Sequence, residues 1–301
     1  MAALRAHFGN RLQENVRLAN YTTARVGGPV DALIIVNNID ELVEAAQFVW
    51  QSGNPLHLFG SGSNVLVSDQ GLPGVVIINH AHTVKIDSHH TPPSVWAEAG
   101  ANFSSLARQV AARGLSGLEW AAAIPGSLGG AVYGNAGAFG GDIASSLLLA
   151  EILHREQGRE TLTNEQMGYS YRSSILKRSR SEDVIILAAR LKLENAEREI
   201  VQQKMSTYLA KRRSSQPPGA SMGSMFKNPP EDYAGRLIEA AGLKGKRIGG
   251  AEISPIHANF FITDNTAKAM DVFKLVDFVK NTVKQKFGVE LELEVELVGE
   301  F

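Results

Sequence analysis

The stretch IPGSLGGAVYGNAGAFGG, residues 124–141, carries seven glycines and three alanines in eighteen positions, and its reading decides the fold. Glycine loses more conformational freedom on folding than any other residue, so seven in one place are a stability cost that packing alone does not account for. Something must approach that backbone closely. A second, shorter stretch, GSGSN at 60–64, follows the apolar run Leu56–Phe59. Successive backbone N–H groups in such turns form concave nests for anions, and the missing side chains let a pyrophosphate come within hydrogen-bond distance. Neither stretch has a standard dinucleotide spacing: Val65 stands at the third glycine of G-x-G-x-x-G, and no G-x-x-x-x-G-K-[ST] occurs. Either alone reads as tight turns and a close helix or strand crossing; the two together point to a bound nucleotide or flavin, whose flat ring also needs thin walls.

Around these stretches the chain alternates apolar strands and amphipathic helices. Ala32 to Val36 predicts a buried strand, and 40–50 a helix with Leu42, Val43, Ala46, Val49 and Trp50 on one face. Short strands follow at Leu56–Phe59, Val65–Val67 and 75–78, then a strand at 94–99 and a helix at 102–113. Beyond the glycine tract, 152–154 and 160–162 flank a Gln157-Gly158 turn, and 184–193 is apolar enough for an interior strand. The charged helix 196–213 ends before the breaker segment SSQPPGASMGS, a natural domain boundary. Helices are expected at 233–241 and 266–287. Last, VELELEVEL at 289–297 alternates strictly, which predicts a strand with Glu290, Glu292, Glu294 and Glu296 on one face.

Composition narrows the function. The 301 residues are 44% hydrophobic, carry a net charge of -1, and include no cysteine. A chain of this length divides more comfortably into two or three domains than one. Scattered charge supplies no basic stripe for nucleic acid. Without cysteine there are no disulfides, thiolate metal sites or thiol nucleophiles. The N-terminus MAALRAHFGN lacks a signal-peptide core and no apolar run reaches membrane-spanning length, so a cytoplasmic protein without membrane insertion is expected. His80, His82, His89 and His90 cluster, but their spacing defines no metal geometry and reads as a solvated loop; no metal is expected. Arg172 in GYSYRSS suits a polar pocket or a surface turn. Ser224 in GSMFKNP sits in a constrained, partly apolar setting, without the G-x-S-x-G of a hydrolase elbow. Any one of the four glutamates could enter an active site, and alternation does not choose among them.

Eight segments, taken in order, resemble the UDP-N-acetylenolpyruvoylglucosamine reductases, flavoenzymes of bacterial cell-wall precursor synthesis. They are NYTTARVGGP (20–29), GSGSNVLVSDQGLPGVVI (60–77), GLEWAAAIPGSLGGAVYGNAGAFGGDI (117–143), YSYRSS (169–174), GSMFKNP (223–229), AGRLIEAAGLKGKRIGGAEIS (234–254), HANFFI (257–262) and LELEVELVG (291–299). The resemblance implies an α+β protein of three domains: an FAD-binding fold of the vanillyl-alcohol-oxidase type at 1–78 and 79–195, and a substrate-binding α/β domain at 196–287. The terminal strand 288–301 would return to the active site. The length is similar to that of the shorter subclass.

That resemblance also implies the partners and roles. FAD is the cofactor, NADPH the co-substrate and UDP-N-acetylglucosamine enolpyruvate the substrate; no protein partner is implied. The glycine segments would line FAD through Gly60, Ser61, Gly62, Ser63, Asn64, Ile124, Pro125, Gly126, Ser127, Gly130, Asn135, Ala136 and Gly137. Ser224 matches the family's general acid, Glu294 the glutamate before valine in L-E-x-E-V, and Arg172 the arginine of Y-R-x-S. Tyr171, Lys227, Asn228 and Asn259 fall at substrate-side positions. Ala123 and Gly134 depart from the family pattern, which commonly has glycine and a larger residue there. Two other readings stand beside this one: a different FAD-dependent oxidase or dehydrogenase on the same fold, and a flavin- or nucleotide-binding protein without turnover.

Overall fold

The strand Val184–Lys192 is the centre of a five-stranded antiparallel sheet, paired with Leu147–His154 on one side and Ser94–Glu98 on the other. Its apolar run is buried through Ile185, Ile186, Leu187, Ala188 and Ala189, as a strand covered on both faces requires. The computed structural model describes residues 1–89, 91–179 and 183–301, and His90 lies outside them. The chain divides into two units, one made of 1–13, 32–61 and 74–212, the other of 14–31, 62–73 and 213–301.

In the first unit the sheet is completed by Gly158–Thr163 and Val84–Asp87 at its edges, so the Gln157-Gly158 turn does join a hairpin. The helix Phe103–Ala111 covers it with Phe103, Leu106, Ala107 and Val110, and starts where Asn102 Oδ1 accepts the Ser105 N–H at 2.9 Å. A separate core lies between the helix Ile39–Gln51 and a second sheet, ordered Leu12–Arg17, Pro29–Val36, Leu72–Asn79, Leu56–Phe59. Leu42, Ala45, Ala46, Val49 and Trp50 form the buried stripe of that helix. Leu56–Phe59 runs parallel to 75–78 and delivers the chain into GSGSN.

Within the glycine tract Leu128–Gly134 is a helix. Glycine disfavours a helix by about 1 kcal/mol per residue relative to alanine, so propensity does not make this one. Leu128, Ala131 and Val132, buried at helical spacing, do. Ser127 Oγ caps its start, accepting the Gly130 N–H at 3.3 Å. Asn135 ends it in the left-handed region, φ 48°.

The second unit is built on the helix Ala269–Phe287, which buries Ala269, Val272, Leu275, Val276, Val279 and Val283 against Ala234–Ala240 and a three-stranded sheet. Asp69 accepts the Ala269 and Met270 N–H groups, each at 2.9 Å, an anion placed at the positive end of the helix dipole.

The terminal segment corrects the expected strand. Only Glu296–Val298 is a strand, parallel to Val65–Val67, with an isolated bridge from Leu293 to Phe226. A bend at Val295 interrupts the extended run, so 289–297 is not one continuous strand. Leu291 and Val295 stay buried while Leu297 is exposed.

Candidate active site

In the first unit the two glycine stretches meet. A Cβ built on Gly60 would stand 2.1 Å from Ser127 Oγ and 2.8 Å from Ser127 Cβ, so only glycine fits at this crossing. The tract is also tied to the segment beside it: Leu128 N–H bonds to Ala101 O at 2.8 Å, Gly129 N–H to Ala99 O at 2.7 Å, and Gly126 O accepts from Phe103 N–H at 3.0 Å. At its far end Gly141 lies flat on Trp120, whose Cδ1 is 2.3 Å from where a Cβ would be. Gly137 pairs with Asp142 in a two-residue ladder, and Ala136 O accepts from Ile143 N–H. Ser61 and Pro125 are exposed and Ile124 half-buried.

Packing therefore explains part of the tract, and what it does not explain tests the fit of a cofactor. On the helix Leu128–Gly134, Gly130 and Gly134 are four apart and share a face. A Cβ on Gly134 would meet nothing within 4 Å, and one on Gly130 only Ser127 Oγ at 3.5 Å. Bare backbone that neither packing nor a left-handed φ requires fits a flat, polyanionic group seated on the backbone itself, which is what FAD presents. The two glycines also supply a prediction. Gly130→Ala and Gly134→Ala should each raise the melting point of the flavin-free protein, by about 0.5–1 kcal/mol of stability. Gly130→Ala should also weaken FAD binding at least about tenfold, worth 1.4 kcal/mol. Fluorescence titration with FAD beside a thermal melt reads both.

Arg172 belongs to the same unit and stands at the corner of a tight turn closed by paired bonds, Ser170 N–H to Ser173 O at 3.0 Å and Ser173 N–H to Ser170 O at 3.1 Å. Its φ is 54°, a left-handed value rare for a non-glycine residue and held here by the surroundings. Three bonds fasten this turn to the tract helix and its cap: Tyr169 Oη donates to Val132 O at 3.1 Å, Ser174 Oγ to Tyr133 O at 2.6 Å, and Asn135 Nδ2 to Ser170 O at 3.0 Å. Burial, and then the charge of Asp142, push the Tyr169 pKa up, so it remains a proton donor. Asn135 also accepts the Ala144 N–H at 2.9 Å and is 5% exposed. Its carboxamide is committed to the protein, and its reach is to the arginine turn. Tyr171, beside Arg172, is 55% exposed and carries the guanidinium over its ring at 5.6 Å.

In the second unit Ser224 is half-buried on an extended segment threaded between two others. Ser224 bridges to Phe260, Phe226 bridges to Leu293, and Lys227 N–H bonds to Glu292 O at 2.8 Å. Glu294 N–H bonds to Met225 O at 2.9 Å, so Met225 and Glu294, far apart in sequence, become neighbours on adjoining extended segments. Asn64 Nδ2 donates to Glu294 O at 3.0 Å, and Asn64 O accepts from Glu296 N–H at 3.0 Å. The asparagine of GSGSN thus grips the main chain of the glutamate. Gly62 before it has φ 58° and lies against Tyr21 O, 2.0 Å from an added Cβ. Ser63 is half-buried. Lys227 is paired with the exposed Glu292, and Asn228 Oδ1 accepts the Ala234 N–H at 3.1 Å.

His257, which motif matching did not single out, lies just behind this segment. Its Nδ1 accepts the Asn259 N–H at 3.2 Å. Burial lowers its pKa, with Lys244 nearby lowering it further and Glu239 opposing. The folded state thus prefers neutral imidazole. Stability from this group is complete above the unfolded value, about 6.5, and is lost as pH falls through the lower folded value. The urea midpoint should fall from about pH 6.5 downward, and His257→Gln should flatten that slope.

His80, His82 and His89 are exposed, and among the described residues no three His, Cys, Asp or Glu side chains gather as a metal site. Nor is any helix of the described chain long and apolar enough to cross a membrane.

Comparison with known proteins adds to this geometry. Residues 30–159 match the family described as FAD binding domain, and 215–298 the family described as UDP-N-acetylenolpyruvoylglucosamine reductase, C-terminal domain. The UDP-N-acetylenolpyruvoylglucosamine reductase of Chloroflexus aggregans is 42% identical over 289 residues, covering 95% of this chain and 97% of the relative. That of Bacillus subtilis is 41% identical over 286 residues, covering 95% and 93%. A solved structure, the UDP-N-acetylenolpyruvylglucosamine reductase of Thermus caldophilus, matches with a TM-score of 0.81 at 36% identity over 96% of this chain and 99% of that one.

Proposed function

The chain belongs to the UDP-N-acetylenolpyruvoylglucosamine reductase family, and we propose from that membership how its residues divide the work. It is an FAD-dependent oxidoreductase that reduces UDP-N-acetylglucosamine enolpyruvate to UDP-N-acetylmuramate in peptidoglycan precursor synthesis. NADPH is the reductant in this reading, and the working division is FAD-binding at 1–78 and 79–195, substrate-binding at 196–287, with 288–301 returning. The protein acts in the cytoplasm, where its substrates are made.

The glycine crossing at Gly60 and Ser127 and the bare face at Gly130 hold the cofactor. When bound, FAD would supply the redox chemistry, that of hydride transfer between NADPH and C3 of the enol ether. Negative charge then develops at C2 and spreads onto the adjoining carboxylate. Arg172, preset on its pinned turn, stabilises that charge without reorganising. The Ser224 hydroxyl donates the proton to C2 and regains one from solvent. A serine is a very weak acid, so it serves only when held at the carbon with competing water excluded. Glu294 orients groups around the C2 carboxylate, and must be neutral or charge-paired to do so. Lys227 meets a phosphate or carboxylate, and Asn228 and Tyr171 contribute polar contacts.

The observation that supports this assignment is the threading of 224–227 between 259–260 and 292–294, which bonds Met225, the residue after Ser224, to the main chain of Glu294. Product analysis tests it. Run in D₂O with NADPH, the reaction should yield a sugar nucleotide reduced by two hydrogens that carries solvent deuterium at C2. NADPH consumption with an unaltered sugar nucleotide, or a reduced product without deuterium at C2, is the result that sinks the assignment.

A further inference from the structure

Asn259 reads in the sequence as a polar contact to substrate, but its surroundings commit it elsewhere. It is 3% exposed, and its carboxamide faces the main chain of a single residue at both ends. Oδ1 accepts the Phe226 N–H at 3.0 Å and Nδ2 donates to Phe226 O at 2.8 Å. Its main-chain carbonyl takes the Met225 N–H at 2.8 Å. Three polar groups of residues 225 and 226 therefore end on Asn259, immediately after Ser224, which itself bridges to Phe260.

We propose that Asn259 is a positioning residue that fixes where the Ser224 hydroxyl stands, and that it does not contact the substrate. The proposal rests on the reading of Ser224 as the proton donor. Asparagine suits the task because a short planar carboxamide carries a donor and an acceptor at the separation of the N–H and C=O of one extended residue, an added rung beside the strand. Packing closes the other side: Phe226 is 1% exposed and lies edge-on to Phe261, with ring centroids 6.1 Å apart. His257 Nδ1, accepting the Asn259 N–H, holds the asparagine from behind. Such a clamp matters because misplacement by about 1 Å in a reacting group can cost about 10²-fold in rate.

Two variants test it, Asn259→Asp, which keeps the size and the acceptor but loses the donor, and Asn259→Ala, which loses both. Where the alanine variant does not fold, the aspartate variant decides. Rates are measured anaerobically per mole of bound flavin. Reduction by NADPH should stay within about twofold of the parent, while reoxidation by the enolpyruvyl sugar nucleotide slows about 10–100-fold with its saturation constant unchanged. The solvent deuterium isotope effect on reoxidation should rise, because proton delivery has become harder. Amide exchange in the flavin-free protein should quicken across 222–228 alone. Equal loss of both half-reactions, with exchange quickened throughout 213–301, would reduce Asn259 to a fold-holding role. A raised saturation constant with an unchanged maximal rate would restore it as a substrate contact. If the parent protein itself is not reoxidised by the sugar nucleotide, the reaction assignment fails, and the exchange pattern still judges whether Asn259 holds 222–228.

Discussion

Replacing Ser224 by alanine is expected to leave flavin reduction by NADPH within a few-fold of the parent and to slow reduction of the enolpyruvyl sugar about 10²–10⁴-fold, the span of a lost general acid. The asymmetry follows from the chemistry of the two half-reactions. Hydride transfer from NADPH needs no proton at a substrate carbon, whereas the second half-reaction leaves a carbanion at C2 that must be protonated. The substitution removes one hydroxyl from a half-buried position and leaves the main-chain bridge to Phe260 in place, so the segment should keep its path. Stopped-flow absorbance resolves the two steps. Equal slowing of both would remove Ser224 from its role.

The second large effect is on folding and cofactor retention together. Gly60→Ala should destabilise the protein by about 2–4 kcal/mol, combining overpacking with damage to a helix cap. The new methyl would overlap Ser127 at both Oγ and Cβ. Rotating the hydroxyl away relieves the first contact but gives up its bond to the Gly130 N–H; the second needs the backbone to move. Because that crossing joins the two glycine stretches, FAD retention should fall with stability. Adding Ser127→Gly to Gly60→Ala should recover part of the lost melting temperature, since it removes the atoms that clash. No recovery in the double variant would show that the strain lies elsewhere.

How far the sequence reveals this protein depends on what each residue's signal is made of. Periodicity is a packing signal, and where packing rules it reads true: Leu56–Phe59, Ile39–Gln51 and Val184–Lys192 were all expected within a residue or two of where they lie. It fails where local geometry overrides it. The alternation of 289–297 continues through the bend at Val295 without any mark in the residue types. The tract helix hides because its glycines argue against a helix, and only the burial of Leu128, Ala131 and Val132 makes one. Read as a helix, the same letters would have shown Gly130 and Gly134 on one face.

The residues proposed to react were legible through motif resemblance alone. Four glutamates looked alike until L-E-x-E-V singled out Glu294, and no spacing rule ties Ser224 to it across seventy residues. The asparagines show the remaining gap. Asn64, Asn135 and Asn259 carry carboxamides suited to a ligand, yet those carboxamides bond the main chain of Glu294, of Ser170 two residues before Arg172, and of Phe226 two residues after Ser224. In sequence, an amide for a ligand and an amide for the backbone are the same letter.

The most direct test of the central claim is the flavin absorbance of the purified protein in an anaerobic cuvette, with NADPH added first and UDP-N-acetylglucosamine enolpyruvate second. Bleaching by NADPH followed by full recovery on the sugar nucleotide is the predicted result. Bleaching without recovery would leave a flavoprotein but contradict the enol reductase, and folded protein that takes up no flavin from excess FAD would contradict the account of the glycine tract itself.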